Sequence, residues 1–435
     1  MSLEINNSRQ MLSDLLASEF KMHWRGLPLS RSSFSVSEIE ALGWNALNGD
    51  LLTPLLVLKE SALAHNIELM SEFCRENNVL HAPHAKTPMS PQLAWQLVDA
   101  GSWGTTVATI DQVRVMRKYG PNRLFLANQL VERQALRWIA SEHDSDPEFD
   151  FFCLVDSDDG VELMDSVLKQ ARLSRPLKVL IEVGMPGGRG GCRDIEAVAR
   201  TAEAIAKSET MTLVGVEIYE AMAAKGNTLA EKINAVDEAL AFARQSFEFV
   251  RQNQLIARSG QILSAGGSLY FDRVVAAFEH YRPDPEVSIV LRGGCVVTHE
   301  IGDNDHVSPL AGRSVESNTL KQALELWALV ISRPEKGLAV LNFGKRDAPF
   351  DKGKPVAFSV RSYEGDIREL TEPLTIRSIN DHHTVIETGP AHGDLAVGDL
   401  VGFHVAHPCT AFDKWRLVPV VDDTYTVTDG IVTFF

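Results

Sequence analysis

The amino-acid sequence predicts an α/β protein, a (β/α)8 TIM-type barrel with an appended all-β domain, and three observations support this. The 435 residues suffice for two or three domains. From about residue 80 to 295, eight short β-branched or apolar runs alternate with longer helix-like stretches, the pattern of repeated βαβ units. From residue 337 onward the apolar runs are short and separated by turn residues, which is typical of an all-β domain.

Eight predicted strands and their crossovers fit a (β/α)8 barrel, with a doubly wound open sheet as the structural alternative. Stretches between the strands, such as Asp194–Lys207 and Thr228–Gln252, are rich in Ala, Glu and Leu with apolar residues three and four apart, which predicts helices. The predicted barrel strands are Leu80–Lys86, Gly104–Ala108, Leu124–Asn128, Phe151–Val155, Lys178–Val183, Leu213–Tyr219, Gln261–Ala265 and Val287–Leu291.

Thr53–Leu58 is a ninth predicted strand, which an eight-stranded barrel cannot use, so we assign it to the β-domain. The residues before it are predicted to be a partly helical lead-in. After residue 300, Leu320–Ser332 is the stretch with helical periodicity. The predicted division is therefore a lead-in and joining strand over residues 1–58, a barrel over 59–300 and a β-domain over 301–435.

Charge and composition exclude several classes of function. The chain has 58 acidic and 42 basic residues, and its net charge of −16 would repel phosphate backbones and anionic lipids. It has no apolar run of the roughly 20 residues that a membrane span needs, and its first ten residues lack the layout of a signal peptide. Five scattered cysteines without a C-x-x-C pair argue against a disulfide framework or a zinc ribbon. We therefore expect a cytoplasmic enzyme without nucleic-acid or membrane partners.

Candidate catalytic residues are sought at the carboxyl ends of the barrel strands, where the loops of such enzymes converge. Lys86 ends the first predicted strand; if desolvated, it could lose its proton and form a Schiff base, whereas a solvated surface lysine is the alternative. The fifth strand runs into a glycine-rich loop that presents Arg189, with a plain turn as the alternative.

Two pairs of glycines follow the seventh and eighth predicted strands. They are Gly266 and Gly267, followed by Ser268, and then Gly293 and Gly294. Paired glycines expose backbone N–H groups to an anion, and barrels frequently bind phosphate at these two loops. The sequence therefore predicts a phosphate site.

In the β-domain, His407 and Cys409 lie two residues apart in an apparent strand, so their side chains are expected on one face. Imidazole and thiolate suit zinc, and two protein ligands would leave positions for water or substrate. The alternative is a packed cysteine beside a hydrogen-bonded histidine.

Several of these segments together resemble a known family. Pro83-His84-Ala85-Lys86-Thr87, with the strand at 53–58 and the H-N-I of His65–Ile67, is similar to the fold-type III pyridoxal phosphate enzymes, and within them to the D-serine dehydratase and D-threonine aldolase branch. His407-Pro408-Cys409 resembles the metal-binding H-x-C of the D-serine dehydratases. The resemblance spans most of residues 50–420.

This resemblance implies a barrel of the alanine racemase type, a homodimer, and a role for each matching residue. Lys86 would bind pyridoxal 5'-phosphate covalently, Arg189 would lie near the phenolic oxygen of the cofactor, and Tyr219 beside its ring. One departure is Val296, near a position where relatives often carry a tyrosine. The residues that would hold the cofactor phosphate are Gly266, Gly267, Ser268, Gly293 and Gly294, and those that would hold zinc are His407 and Cys409.

The implied activity is that of a D-serine dehydratase, in which Lys86 removes the α-proton of a D-amino acid and zinc assists departure of the β-hydroxyl, giving keto acid and ammonia. Alternatives are a D-threonine aldolase-type cleavage, whose enzymes carry an aspartate where this chain has Cys409, and a racemase, which needs a second base opposite Lys86. A non-catalytic pyridoxal phosphate carrier would lack the β-domain. If each of these motifs had only a structural role, the remaining interpretation would be a hydrolase built on a barrel.

Overall fold

The computed structural model describes residues 3–20, 24–31, 33–314, 317–372, 374–390 and 392–435. It contains an eight-stranded parallel sheet surrounded by helices and a separate ten-stranded, largely antiparallel sheet. This arrangement confirms the predicted fold class, a barrel with an appended β-domain. No helix among the described residues combines the length and the apolar character needed to cross a bilayer.

The N-terminal region leads into the first strand through helix α1 (Leu3–Ala17) and two short 3-10 helices (Val36–Glu38 and Glu40–Leu42). Strand β1 (Leu55–Lys59) is buried at all five positions and belongs to the ten-stranded sheet. Its last residue, Lys59, caps α2, so the chain passes directly from one sheet into the helices of the other.

The eight parallel strands follow one another around the barrel in chain order, which excludes the doubly wound alternative. The barrel strands are β2 (Leu80–His81), β3 (Thr105–Val107), β4 (Arg123–Gln129), β5 (Asp150–Val155), β6 (Leu177–Val183), β7 (Met211–Ile218), β8 (Gln261–Ala265) and β9 (Val287–Leu291). The helices around them are α2 (Glu60–Glu76), α3 (Pro91–Asp99), α4 (Ile110–Tyr119), α5 (Arg133–Ser145), α6 (Asp158–Ala171), α7 (Ile195–Lys207), α8 (Leu229–Gln252) and α9 (Phe271–Ala277).

The ring closes between β2 and β3 just beyond the end of β2. Here Ala85 N donates to Thr106 O at 2.8 Å, and Thr106 N donates to Pro83 O at 3.0 Å, around a parallel bridge between His84 and Thr106. The predicted first strand, Leu80–Lys86, is therefore too long, because its second half is a loop that touches the wall at this bridge.

The two predicted helices α7 and α8 are confirmed, and each begins one residue after the predicted start. The reason is capping: the side chains of Asp194 and Thr228 accept hydrogen bonds from backbone N–H groups in the first turn, which is the role these residue types prefer. Thr228 also forms a capping box with Glu231.

In the ten-stranded sheet, β1 lies between β10, to which it is antiparallel, and β17, to which it is parallel. The main strand order is β13-β12-β16-β10-β1-β17-β18, and β11, β14 and β15 extend from β10. The remaining elements are α10 (Asp303–Val307), β10 (Leu324–Ser332), β11 (Leu338–Leu341), β12 (Val356–Arg361), β13 (Ile367–Glu369), β14 (Thr375–Ile379), β15 (Thr384–Glu387), β16 (Leu400–His404), α11 (Pro408–Phe412), β17 (Leu417–Val421) and β18 (Val427–Val432).

The helical periodicity predicted for Leu320–Ser332 is wrong, because this stretch contains strand β10. The first five positions of β10 are all buried, since the sheet packs against other parts of the protein on both faces. A strand that is covered on both sides is apolar at consecutive positions and lacks the alternation that distinguishes a strand from a buried helix.

Asn66 on α2 joins the barrel to the β-domain, and its replacement should destabilise the fold. It is fully buried; its Nδ2 donates to Val297 O at 3.0 Å and Lys321 O at 2.7 Å, and its Oδ1 accepts from Lys321 N at 2.8 Å. We expect Asn66→Ala to lower the free energy of unfolding by about 2–4 kcal/mol, because it leaves buried backbone groups unpaired. The control is Glu68→Ala at an exposed neighbouring position, which should change the free energy of unfolding by less than about 0.5 kcal/mol. Denaturant titrations measure both variants, and equal effects would contradict the joining role of Asn66.

Candidate active site

Four of the residues predicted from the sequence line one cavity at the carboxyl ends of the barrel strands. The cavity measures about 220 Å³, and its lining includes Lys86, Arg189, Tyr219 and Gly266, together with Arg292. Lys86 lies in the loop that follows the barrel-closing bridge, and its side chain is accessible from the cavity. The structure therefore brings together residues from four separate loops.

The surroundings of Lys86 favour its neutral, nucleophilic form. Partial desolvation is the largest effect and lowers the pKa of Lys86 below its usual value. The positive charges of Arg189 and Arg292 act in the same direction, against opposing contributions from Cys409 and Cys295. A lysine of lowered pKa in a cavity is what covalent attachment to a carbonyl compound requires.

Gly266 allows two planar side chains to approach its backbone closely. A Cβ added there would lie 2.8 Å from Arg292 Nη2 and 3.4 Å from Tyr219 Cδ2. Arg189 packs over the Tyr219 ring, with Cζ 4.8 Å from its centroid. The absence of a side chain at Gly266 thus lets Arg292 and Tyr219 pack closely against this part of the cavity lining.

Arg292 belongs to a buried ion pair that was not predicted from the sequence. The guanidinium of Arg292 bonds to the carboxylate of Glu217, and its Nε donates to Ser264 Oγ at 2.9 Å. Desolvation raises the pKa of Glu217 to about 7, although Arg292 opposes the shift. The pair fixes the direction of the arginine, which follows β9 directly.

The loops that carry the two glycine pairs touch each other and the Lys86 loop. A Cβ at Gly293 would lie 3.0 Å from Gly267 O and 3.1 Å from Ser268 Oγ, and one at Gly294 would lie 2.5 Å from His84 O. The positions predicted to bind phosphate therefore converge next to the predicted cofactor lysine.

The first glycine pair already has a partner within the protein. Glu220 Oε2 accepts hydrogen bonds from Gly266 N at 3.1 Å and Gly267 N at 3.0 Å, and a Cβ on Gly267 would collide with Glu220 Oε1. These two N–H groups are engaged in this structure. The predicted phosphate site therefore depends on Ser268 and on the second glycine pair, whose role stays a prediction.

His407 and Cys409 do not lie in a strand, which corrects the sequence-based expectation. Strand β16 ends at His404, His407 caps α11, and Cys409 is within that helix. The physical reason is Pro408, which occupies the first helical position, where its missing N–H and fixed φ are favourable. The two side chains nevertheless influence each other: burial lowers the pKa of His407, but Cys409 and Asp351 raise it above its usual value.

The pair lies beside the Lys86 loop and has a supporting carboxylate. Cys409 Sγ is 3.1 Å from Oγ1 of Thr87, the residue after Lys86. His407 Nδ1 is 2.6 Å from Asp351 Oδ2, and Thr410 Oγ1 donates to Asp351 Oδ1 at 2.9 Å. A carboxylate on one ring nitrogen is the usual support of a metal-binding histidine.

Within the described residues, no three His, Cys, Asp or Glu side chains are already gathered as a metal site. The donor chemistry of the pair still fits a metal. Hydrogen bonds from Cys295, His407 and Thr87 lower the pKa of Cys409 well below its usual range, so that a thiolate is available.

Two family models match the chain, one over the barrel and one over the β-domain. The sequence model of the family described as "Alanine racemase, N-terminal domain" matches residues 58–276, and that of the "Putative serine dehydratase domain" matches residues 323–421. The first match includes Lys86 and the first glycine pair, and the second includes Asp351, His407 and Cys409.

Relatives and solved structures cover most of the chain. The 3-hydroxy-D-aspartate aldolase of Paracoccus denitrificans (strain Pd 1222) is 21% identical over 368 residues, which are 84% of this chain and 88% of the relative. D-threonine aldolase from Filomicrobium marinum has a TM-score of 0.72 at 20% identity, covering 95% of this chain and 98% of that chain. D-threo-3-hydroxyaspartate dehydratase from Delftia sp. HT23 has a TM-score of 0.70 at 19% identity, covering 88% and 98%.

In metal-free protein, Cys409 should be the most reactive cysteine at neutral pH. Its pKa is lowered, whereas burial raises the pKa of Cys74 and Cys153 to about 12 and that of Cys192 to about 11. Alkylation of Cys409 by iodoacetamide should therefore change little between pH 7 and 9, where an ordinary thiol accelerates with its thiolate fraction. Mass spectrometry measures the label. In His407→Ala the rate of Cys409 alkylation at pH 7 should fall. A Cys409 alkylation rate that rises steeply with pH in the unsubstituted protein would contradict the lowered pKa of this thiol.

Proposed function

We propose that this chain, which belongs to the fold-type III family of pyridoxal phosphate enzymes, is a metal-dependent lyase that eliminates water from a β-hydroxy D-amino acid. D-serine is the proposed substrate, and pyruvate and ammonia are the products. The observation that carries the proposal is the 3.1 Å contact between Cys409 Sγ and Thr87 Oγ1, since the proposed metal-binding cysteine then neighbours the residue that follows the proposed cofactor lysine.

The cavity suits the cofactor. Arg292, Tyr219 and Gly266 line it, and Tyr219 would lie beside the cofactor ring. Lys86 opens onto the same cavity, and the converging loops at Ser268 and the second glycine pair would hold the phosphate. Pyridoxal phosphate supplies an electron sink for charge that develops at the substrate α-carbon, and the protein selects which bond breaks.

Lys86 is the proposed acid–base group. Once substrate has displaced it from the cofactor, its amine would take the proton from the substrate α-carbon. Because its pKa is lowered by desolvation, the lysine is neutral over a wider pH range than an exposed one. It reaches the substrate from one face, so one enantiomer is favoured, and the D preference is supported by the D-amino acid enzymes to which the chain is similar.

His407 and Cys409 are the proposed metal-binding residues, and Asp351 is a positioning residue that holds the imidazole ring. Zinc bound there would supply a Lewis acid that makes the substrate β-hydroxyl a better leaving group. The thiolate favours zinc over magnesium or manganese, which prefer oxygen donors.

Retro-aldol cleavage is the second candidate function. It is favoured by the similarity to a 3-hydroxy-D-aspartate aldolase and by the fold shared with a D-threonine aldolase. Both reactions use the same cofactor lysine and a metal near the β-hydroxyl, so the products distinguish them. The ten-stranded domain argues against a non-catalytic pyridoxal phosphate carrier, which would lack it.

Lys86 should carry the cofactor. Borohydride reduction of the holoenzyme and peptide mapping should place the cofactor on Lys86, and Lys86→Ala should be colourless and inactive. Because the pKa of Lys86 is lowered, the rate of cofactor uptake by the apoprotein should rise with pH and reach half its maximum below pH 10.5, the usual lysine value. Lys352→Ala, which removes another lysine near the site, should keep the label. A label on a different lysine would overturn the site.

The reaction itself is tested with D- and L-serine, D- and L-threonine and the stereoisomers of 3-hydroxyaspartate. We expect keto acid and ammonia from D-serine or another D-isomer only. Chelation should abolish keto-acid formation while the yellow colour of the cofactor persists, and added zinc should restore keto-acid formation. Cys409→Ala should lose elimination but still exchange the substrate α-proton with deuterium.

Three results would contradict this reading. Glycine and an aldehyde as the main products would identify an aldolase. Equal turnover of both enantiomers would refute a one-base elimination. Keto-acid formation that resists chelation would show that His407 and Cys409 are packing residues.

A further inference from the structure

A second cysteine lies against the proposed metal pair. Cys295 follows the second glycine pair, and its Sγ is 3.8 Å from Cys409 Sγ and 4.0 Å from Thr87 Oγ1. All five cysteines lie in the described part of the chain, and Cys295 and Cys409 are the two that are not buried. The contact therefore joins the only two partly accessible thiols, which come from different domains.

The spacing of the two sulfur atoms matches a shared metal ion. Zinc bonds to thiolate at about 2.3 Å in tetrahedral geometry, which separates two sulfur ligands by about 3.8 Å. The observed distance is 3.8 Å. His407 caps the short helix that contains Cys409, and its Nδ1 is 2.6 Å from Asp351 Oδ2, so the second ring nitrogen is free of that carboxylate.

Catalytic zinc sites commonly have three protein ligands and one open position. His407 and Cys409 alone would leave two positions open. A third protein ligand would leave one coordination position open, which the substrate hydroxyl can occupy.

We propose that Cys295 is the third protein ligand of the ion bound by His407 and Cys409, giving a Cys2His set. The inference rests on the proposed function, since an ion must bind for Cys295 to join it. The three side chains are not gathered around one point as they stand. Binding would form two metal–sulfur bonds and one metal–nitrogen bond, and the Cys295 thiol proton, with any proton on the ligating ring nitrogen of His407, would leave to solvent. Two thiolates would also strengthen the preference for zinc over magnesium and manganese.

The test counts thiolates on the metal without measuring activity. The reduced holoenzyme is stripped of metal and titrated with Cd²⁺, and the ultraviolet sulfur-to-cadmium charge-transfer band, which lies away from cofactor absorption, is recorded per bound ion. We expect Cys295→Ala to bind one ion with about half the band of the unsubstituted protein. Its zinc affinity, measured by competition with a chelator, should fall at least about 10-fold, because even supporting residues of such sites contribute 10- to 100-fold.

Two variants keep the result interpretable. Cys153→Ala changes a buried cysteine away from the pair and should leave both the band and the affinity unchanged. If Cys295→Ala does not fold, the near-isosteric Cys295→Ser replaces it, with the same expectation for the band.

The possible failures are distinct. A band and a zinc affinity that do not change in Cys295→Ala would overturn the third ligand and leave the proposed metal-dependent elimination standing. Absence of any cadmium or zinc binding in the unsubstituted protein would overturn both this inference and the metal dependence of the proposed function.

Discussion

The backbone bridge between His84 and Thr106 is the interaction on which the active-site end of the molecule depends. It completes the ring of parallel strands at the one place where the strands themselves do not pair. The residues after it must then leave the barrel wall, so Lys86 opens into the cavity and Thr87 reaches Cys409. Barrel closure, the proposed cofactor attachment and contact with the β-domain thus fall within four consecutive residues.

The sequence predicted the barrel well because its strands and helices carry strong local signals. Strands β8 and β9 have the predicted bounds, and helices α7 and α8 differ by one capping residue. The prediction failed at β10, where cover on both faces removes the local alternation of a strand, and at Cys409, where Pro408 begins a helix that was predicted as a strand.

The site was predictable only for residues with a recognisable local motif. Lys86 and the glycine pairs stand at strand ends, and the structure brings them together. Asp351, Glu220 and Cys295 were missed, because each acts through a partner that folding brings near. Glu220 shows this most clearly. The sequence predicts that Gly266 and Gly267 bind an anion, but in the fold their N–H groups donate to the buried Glu220 carboxylate. No residue next to the glycines in the sequence indicates this contact.

Strand β1 has a consequence for how the polypeptide is made. Its neighbours, β10 and β17, are separated from it by the whole barrel, so they leave the ribosome only after the barrel has been synthesised. Until then an apolar strand that is buried at every position in the finished protein has both edges unpaired, which is a hazard for aggregation. Such distant pairings also form slowly. The barrel can close first, while the face that carries His407 and Cys409 is completed last, and a nascent chain interrupted before β17 would expose β1.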